Sequence, residues 1–370
     1  MISKLQVEIE PGKTSMTLRM QPQLDYGQAD PPLCLIAPNG LGGITDYTEV
    51  LRRNIVGNSV VLRPGEQEEK RTMWEDTDNA GSEKYSAVLI QYCGYGFQRR
   101  GAPYWLPKWT ALQKRRGQPV GCFFHELYAF GPPWRSSFWL SPMQRHIAAE
   151  LARLSDFWIT NRSWSAEWLL HAAREKPYAV LPVFSNVGES TRFSRERSPR
   201  VIVFGSAGLR QAAYTSAGRS LFEWAGKAGL QIHDVGPALE ASLTTALSDA
   251  GVICHGYLDV AEIRTLFQDA MFGLIAYPTA CLGKSGVFAA YCAYGICPIV
   301  YSTDYAPVDK LESGTHYLAG HGLNSGLALT SLAVGEAAWA WYQDHGVQSH
   351  VETVARFSGI AEFTGATLSP

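Results

Sequence analysis

Short apolar runs alternate with amphipathic stretches along most of the chain. Leu33 to Ala37 (Leu-Cys-Leu-Ile-Ala) is apolar at every position, as a strand buried on both faces must be. A helix follows, with Ile44, Tyr47 and Leu51 on one face and Arg52 and Arg53 off it. Ser59 to Leu62, Ala87 to Gln91, Val120 to Phe124, Phe157 to Thr160 and Ala179 to Pro182 read as further strands, with helices filling the gaps. Such regular alternation implies a parallel sheet covered on both faces. Before it, Leu5 to Glu10 and Ser15 to Met20 alternate apolar with polar around Pro11-Gly12-Lys13, which predicts a β-hairpin within residues 1–30.

Ser185 to Arg200 breaks the rhythm with serines, glutamates, arginines and Pro199, and reads as a linker. The rhythm resumes at Val201 to Gly205 and continues through Gln231 to Val235, Val252 to Cys254, Gly273 to Ala276 and Cys297 to Tyr301. Two doubly wound, Rossmann-like α/β domains facing a central cleft follow, over residues 31–184 and 201–345, with residues 346–370 as a closing helix and tail. In sheets of this kind ligands lie beyond the carboxyl ends of the strands.

Composition narrows the class. With 370 residues, 46% hydrophobic and 18% charged, the chain can bury two ordinary cores. Its net charge of −2 lacks the basic excess of a nucleic-acid binder. The seven cysteines are odd in number, show no Cys-x-x-Cys spacing and mostly sit in apolar patterns, which suits reduced core residues in a cytosolic protein. The amino terminus has no secretion-type apolar run, and the longest apolar stretch, Met271 to Gly283, is too short for a membrane span and contains Pro278. A cytoplasmic location is expected, with attachment to the inner face of the membrane left open.

Candidate chemistry gathers at strand ends. Pro38 to Tyr47 (Pro-Asn-Gly-Leu-Gly-Gly-Ile-Thr-Asp-Tyr) joins the first strand to its helix, so the amides around Gly42 and Gly43 can cradle an anion with the helix dipole behind them. A second cradle, Leu282 to Tyr291, offers the Lys284 cation, the Ser285 hydroxyl and the amides of Gly286 and Val287. Three or four charge-assisted bonds of about 1.5–3 kcal/mol each would hold a diphosphate without a metal. A plain glycine-rich turn with a solvated lysine is the alternative. Arg210 follows the first strand of the second domain and could reach the same phosphates or simply lie on the surface. His255-Gly256-Tyr257-Leu258 could receive a nucleotide base. In the first domain His125 and Glu126 end a strand and are the catalytic candidates: a histidine there can orient a hydroxyl or take its proton, or be satisfied by backbone in a loop, and Glu126 can orient His125, bind a hydroxyl or cap the next segment. Tyr95, Trp134 and Arg135 lie in aromatic, basic loops suited to a sugar or lipid-linked acceptor.

Taken together, Gly42 to Tyr47, the His125-Glu126 strand end, Leu181-Pro182-Val183-Phe184-Ser185-Asn186 and Gly256 through Leu266, Phe267 and Ala270 resemble a GT-B glycosyltransferase of the retaining, nucleotide-sugar-dependent group (family 4-like, group 1), over roughly residues 33–350. The resemblance implies a hexosyltransferase of polysaccharide or glycoconjugate biosynthesis that needs no metal or cofactor beyond a UDP- or GDP-linked sugar as co-substrate. It implies donor binding to the second domain, a glycan or lipid-linked acceptor on the first, and net retention. It would give Gly42 and Gly43 contact with donor phosphates, His125 the place near the reacting sugar, and Arg210 with Lys284 the leaving group. The family's paired glutamates, counted back from Gly295, fall on Leu282 and Ala290. A non-catalytic GT-B-fold protein that binds sugar nucleotides or glycans therefore stays open, as does a sugar-nucleotide epimerase of similar architecture.

Overall fold

The computed structural model describes residues 31–40, 42–55, 57–64, 85–324 and 326–360; the hairpin expected within residues 1–30 lies outside them. Strands β1 (Leu33–Ile36), β2 (Ser59–Leu62), β3 (Ala87–Tyr92), β4 (Val120–Phe124), β5 (Phe157–Thr160) and β6 (Tyr178–Val180) form one sheet in the order β2-β1-β3-β4-β5-β6, parallel throughout. Strands β7 (Ser198–Phe204), β8 (Gln231–Val235), β9 (Ile253–Gly256), β10 (Ala270–Ala276), β11 (Cys297–Tyr301) and β12 (Leu318–Ala319) form a second parallel sheet, β12-β11-β10-β7-β8-β9. Every position of β1, β3, β4 and β11 is buried, which is why these strands read as unbroken apolar runs. Among the described residues no helix is long and apolar enough to cross a membrane.

Strand order reverses between β1 and β3 in the first sheet and between β7 and β10 in the second. At these switch points the loops leaving neighbouring strands diverge to opposite faces and open a crevice. The two glycine-rich cradles stand there: helix α1 (Gly43–Asn54) follows β1, and the 3₁₀ turn Thr279–Lys284 follows β10.

The second domain starts earlier than the sequence pattern implies. Ser198 and Arg200, polar enough to pass for linker, already belong to β7, because the Ser198 amide donates to the Asp269 carbonyl at 2.7 Å and Arg200 Nη1 donates to Asp269 Oδ1 at 2.9 Å. The chain between the sheets is pinned rather than loose. Val183 N donates to Gly283 O at 2.8 Å, and the Tyr342 hydroxyl accepts from Ser185 N at 2.7 Å while donating to Glu189 Oε1 at 2.6 Å. Apolar residues of the first sheet, of the linker (Val183, Phe184, Val187) and of the second sheet form one continuous core.

The last described helix, Val347–Ser358, carries the chain back to α1. His350 Nε2 donates to Pro182 O at 2.9 Å, which fixes the tautomer and leaves Nδ1 to accept from the Tyr47 hydroxyl at 2.7 Å. Tyr47 in turn stacks on Phe184 with ring centroids 4.3 Å apart. Burial pushes the His350 imidazole down to about 4 and His345 down to about 3, so both stay neutral in the folded chain. Between those values and the ordinary 6.5, the unfolded chain binds protons that the folded chain refuses, so stability falls as pH drops, by up to about 1.4 kcal/mol per pH unit per histidine. Calorimetric melting temperatures should fall steadily from pH 7 to pH 4.5. In His350→Leu, which is less stable at neutral pH, the same fall should be shallower.

Candidate active site between the two sheets

The first residues past β4 are His125 and Glu126, and they part company. Glu126 reaches toward the second sheet, where its Oε1 accepts from Lys284 Nζ at 2.9 Å and its Oε2 accepts from Cys93 Sγ at 3.4 Å. The side chains of Lys284 and Glu126 keep 23% and 46% exposure, so the pair is open to solvent and to a ligand. Burial alone would raise the Glu126 carboxyl, but the Lys284 charge and hydrogen bond outweigh it and hold the carboxyl below its ordinary value. Burial works against the Lys284 ammonium too, and Glu126 and Tyr277 more than restore it. Both groups are therefore charged at neutral pH.

Lys284 ends the 3₁₀ turn, and the next residue starts helix Gly286–Ala293. Ser285 is its N-cap: Oγ accepts from Phe288 N at 3.2 Å, and the Ser285 amide donates to Leu282 O at 2.9 Å. The serine thus shapes the turn rather than standing free. Past it, the amides of Gly286 and Val287 have no protein acceptor among the described hydrogen bonds, the ordinary condition of a helix's first turn. Gly205, at the end of β7, has φ 125°, and a Cβ there would meet Val287 Cγ2 at 3.0 Å; a glycine is what lets the strand end lie against this helix start.

The α1 cradle faces the same region. Gly42 and Gly43 are exposed, with open space where a Cβ would stand. Asp46, one turn on, hydrogen-bonds the Asn186 side chain, and Asn186 Oδ1 lies 3.9 Å from the place of a Gly286 Cβ. Asn186 thus lies beside the first turns of both helices, bonded to Asp46, with its Oδ1 buried and without a hydrogen-bond partner. Burial holds the Asp46 carboxyl above its ordinary value, with the Asn186 bond opposing. Asp46 and Asn186 both belong to segments singled out in the sequence, yet neither was assigned a role; an asparagine at the end of a domain linker is too common a feature to point to a site.

Two assignments need correction. His125 is only 4% exposed: its Nε2 is 2.8 Å from Gln91 Oε1, its ring stacks on Phe123 at 4.2 Å, and Tyr47 meets its edge. Burial, with help from His350 and Lys284, pushes its imidazole down to about 3, so it is a poor proton acceptor near neutrality. The imidazole is a core group packed on Phe123 and Tyr47. Arg210 is 1% exposed, with Nε on Gly205 O, Nη1 on Asp234 and Nη2 on the Pro237 carbonyl. Its fork ties together the loops after β7 and β8 and is not turned toward a ligand.

The remaining assignments spread outward. His255 Nε2 lies 2.8 Å from His233 Nδ1, the Gly256 carbonyl accepts from Gly236 N at 2.9 Å, Leu258 packs on the core, and Tyr257 is largely exposed. His255 and Gly256 end β9, the edge strand two places from the switch point, and Tyr257 and Leu258 follow it. Tyr95 stands two residues from Cys93, whereas Trp134 and Arg135 are exposed at the start of helix Ser136–Leu154. Leu282 and Ala290 are buried in the core.

Neither a family model nor a curated protein sequence matches the chain. Solved structures do. Anabaena HepE, crystallised with UDP and glucose, superposes with a TM-score of 0.52 at 11% identity, over 90% of this chain and 100% of its own. The lipopolysaccharide outer core galactosyltransferase WaaB gives 0.52 at 12% identity, over 89% of this chain and 100% of its own. S. aureus MnaA, solved with UDP, gives 0.52 at 9% identity, over 90% of this chain and 98% of its own.

The chain has the GT-B fold. In GT-B terms the first sheet is the amino-terminal domain and the second the carboxy-terminal domain. The expected fold class is thus the one observed, at identities where sequence comparison finds nothing.

Since Arg210 compensates a buried carboxylate, its loss should act on stability. Arg210→Met is expected to lower the unfolding free energy by about 3–5 kcal/mol in a urea titration, by stranding Asp234. A variant of unchanged stability that loses nucleotide affinity would contradict this placement.

Proposed function

We propose that the chain is a glycosyltransferase, which moves a hexose from a UDP- or GDP-linked sugar to a hydroxyl of a glycan or lipid-linked acceptor, with retention and without a metal. The observation that carries the reading is the Lys284–Glu126 pair, which joins the two sheets, next to the amides of Gly286 and Val287, which have no acceptor among the described hydrogen bonds. A cation and a helix amino terminus at a switch point suit a diphosphate. The UDP held by HepE and MnaA on the same fold supports the same ligand class.

On this reading the donor diphosphate competes with Glu126 for Lys284. Lys284 turns to a phosphate oxygen, and the Gly286 and Val287 amides take others. As the bond from the anomeric carbon to the phosphate oxygen breaks, the electron pair stays on the diphosphate, where preorganised donors stabilise it. The acceptor hydroxyl forms its bond on the same face and passes its proton to the departing phosphate oxygen. Glu126, released from Lys284, accepts hydrogen bonds from a hydroxyl of sugar or acceptor.

The second reading, a binding protein without turnover, is favoured by Leu282 and Ala290, apolar and core-buried where the resembling family carries glutamates. Calorimetry with UDP and GDP, followed by donor-hydrolysis and transfer assays, separates the two. Lys284→Ala should weaken diphosphate binding at least about tenfold, the loss of one charge-assisted bond. Glu126→Gln, by removing the competitor, should bind as tightly as wild type or tighter while turnover falls. Binding with no turnover across acceptors supports the second reading. Affinity unchanged in Lys284→Ala removes Lys284 from both.

A further inference from the structure

The first domain carries a face that the cleft does not use. The loops and helix that build it carry Arg99, Arg100, Arg135 and Arg145, all exposed, in a chain whose net charge is −2. Helix Ser136–Leu154 runs across this region. Its inner stripe, with Gln144, Ile147, Ala148 and Leu151, is buried as a helix packed on a sheet requires. Its outer stripe over the first two turns is apolar as well: Phe138, Trp139, Pro142 and Met143 recur at helical spacing, and all are exposed, Trp139 by 70%. Just before the helix, Trp134 is 84% exposed and Phe130 60%. Large apolar side chains gathered in this way are not the scattered ones every surface shows.

The face is held in place. Gln144 accepts from Ala129 N at 2.7 Å and donates to Arg100 O at 3.1 Å, so the loop bearing Arg99 and Arg100 is fixed beside the loop bearing Phe130 and Trp134. Trp139 Nε1 donates to Pro133 O at 2.8 Å, which satisfies the indole's polar edge and leaves its faces for apolar contact. Arg135 and Arg145 are exposed along the same helix. Aromatic rings and arginines on the outside of one helix are the chemistry of a surface lying in a lipid headgroup layer, with the rings at the acyl boundary and the guanidinium groups on anionic phosphates. A helix ridge is also convex, whereas a sugar is bound in a concavity.

We propose that this face, centred on Phe138 and Trp139, docks the protein onto an anionic lipid bilayer. The inference does not rest on the donor reading, and its test contains no nucleotide. The full chain is floated with vesicles of phosphatidylcholine alone and of phosphatidylcholine with phosphatidylglycerol, at low and high salt, and tryptophan emission is followed. It should float with the anionic vesicles only, with a blue-shifted emission, and should release at high salt. The double substitution Phe138→Ser, Trp139→Ser should cut this partitioning at least about tenfold, as the loss of two apolar rings implies, with an unchanged melting curve. Three results would overturn the proposal: no affinity for anionic vesicles, affinity that survives the double substitution, or a soluble dimer dissolved by that substitution in a chain that ignores vesicles.

Discussion

Everything in the cleft depends on a lysine and a glutamate that belong to different sheets. Lys284 and Glu126 are both partly withdrawn from water, and each would be costly there without the other. Their pairing at 2.9 Å places the end of β4 against the turn after β10. The neighbouring backbone makes that approach possible: Val183 N binds Gly283 O, and a Cβ on Gly283 would stand 2.8 Å from Asn161 O. A larger residue at 283 would push the sheets apart and break the pair. On the proposed function the pair is also the resting state of the diphosphate site, with Glu126 holding the place of the ligand's negative charge.

The helix that returns to the first domain ties this arrangement to the far end of the chain. His350 orients Tyr47, Tyr47 packs between Phe184 and His125, and His125 precedes Glu126 in the chain. The start of α1 is therefore set by a residue three hundred positions away, through neutral hydrogen bonds that burial keeps from charging. Tyr342 acts similarly on the linker through Ser185 and Glu189. Such contacts make the linker a fixed spacer between two cradles.

Much of this architecture was legible in the chain. Strands buried on both faces leave unbroken apolar runs, and glycine-rich turns after β1 and β10 mark where helices begin. The limits were set by contacts distant in sequence. Ser198 and Arg200 look like linker because their partner, Asp269, is some seventy positions on. Arg210 has the place and chemistry of a phosphate ligand, and only the fold reveals that Asp234 and two carbonyls occupy its donors. His125 and Glu126 were paired as one catalytic feature, yet adjacent side chains at a strand end point to different sides, so one is core and the other cleft. Trp134 and Arg135 have the composition of an acceptor loop, and only the fold reveals that a helix starts right after them and carries further exposed rings outward.

The central claim, that a diphosphate takes Lys284 from Glu126, is tested most directly by a crystal structure of the chain soaked with UDP or GDP. The account predicts a phosphate oxygen on Lys284 Nζ and on the amides of Gly286 and Val287, with Glu126 turned away from the lysine. A diphosphate bound elsewhere, with the Lys284–Glu126 contact still closed, would contradict it.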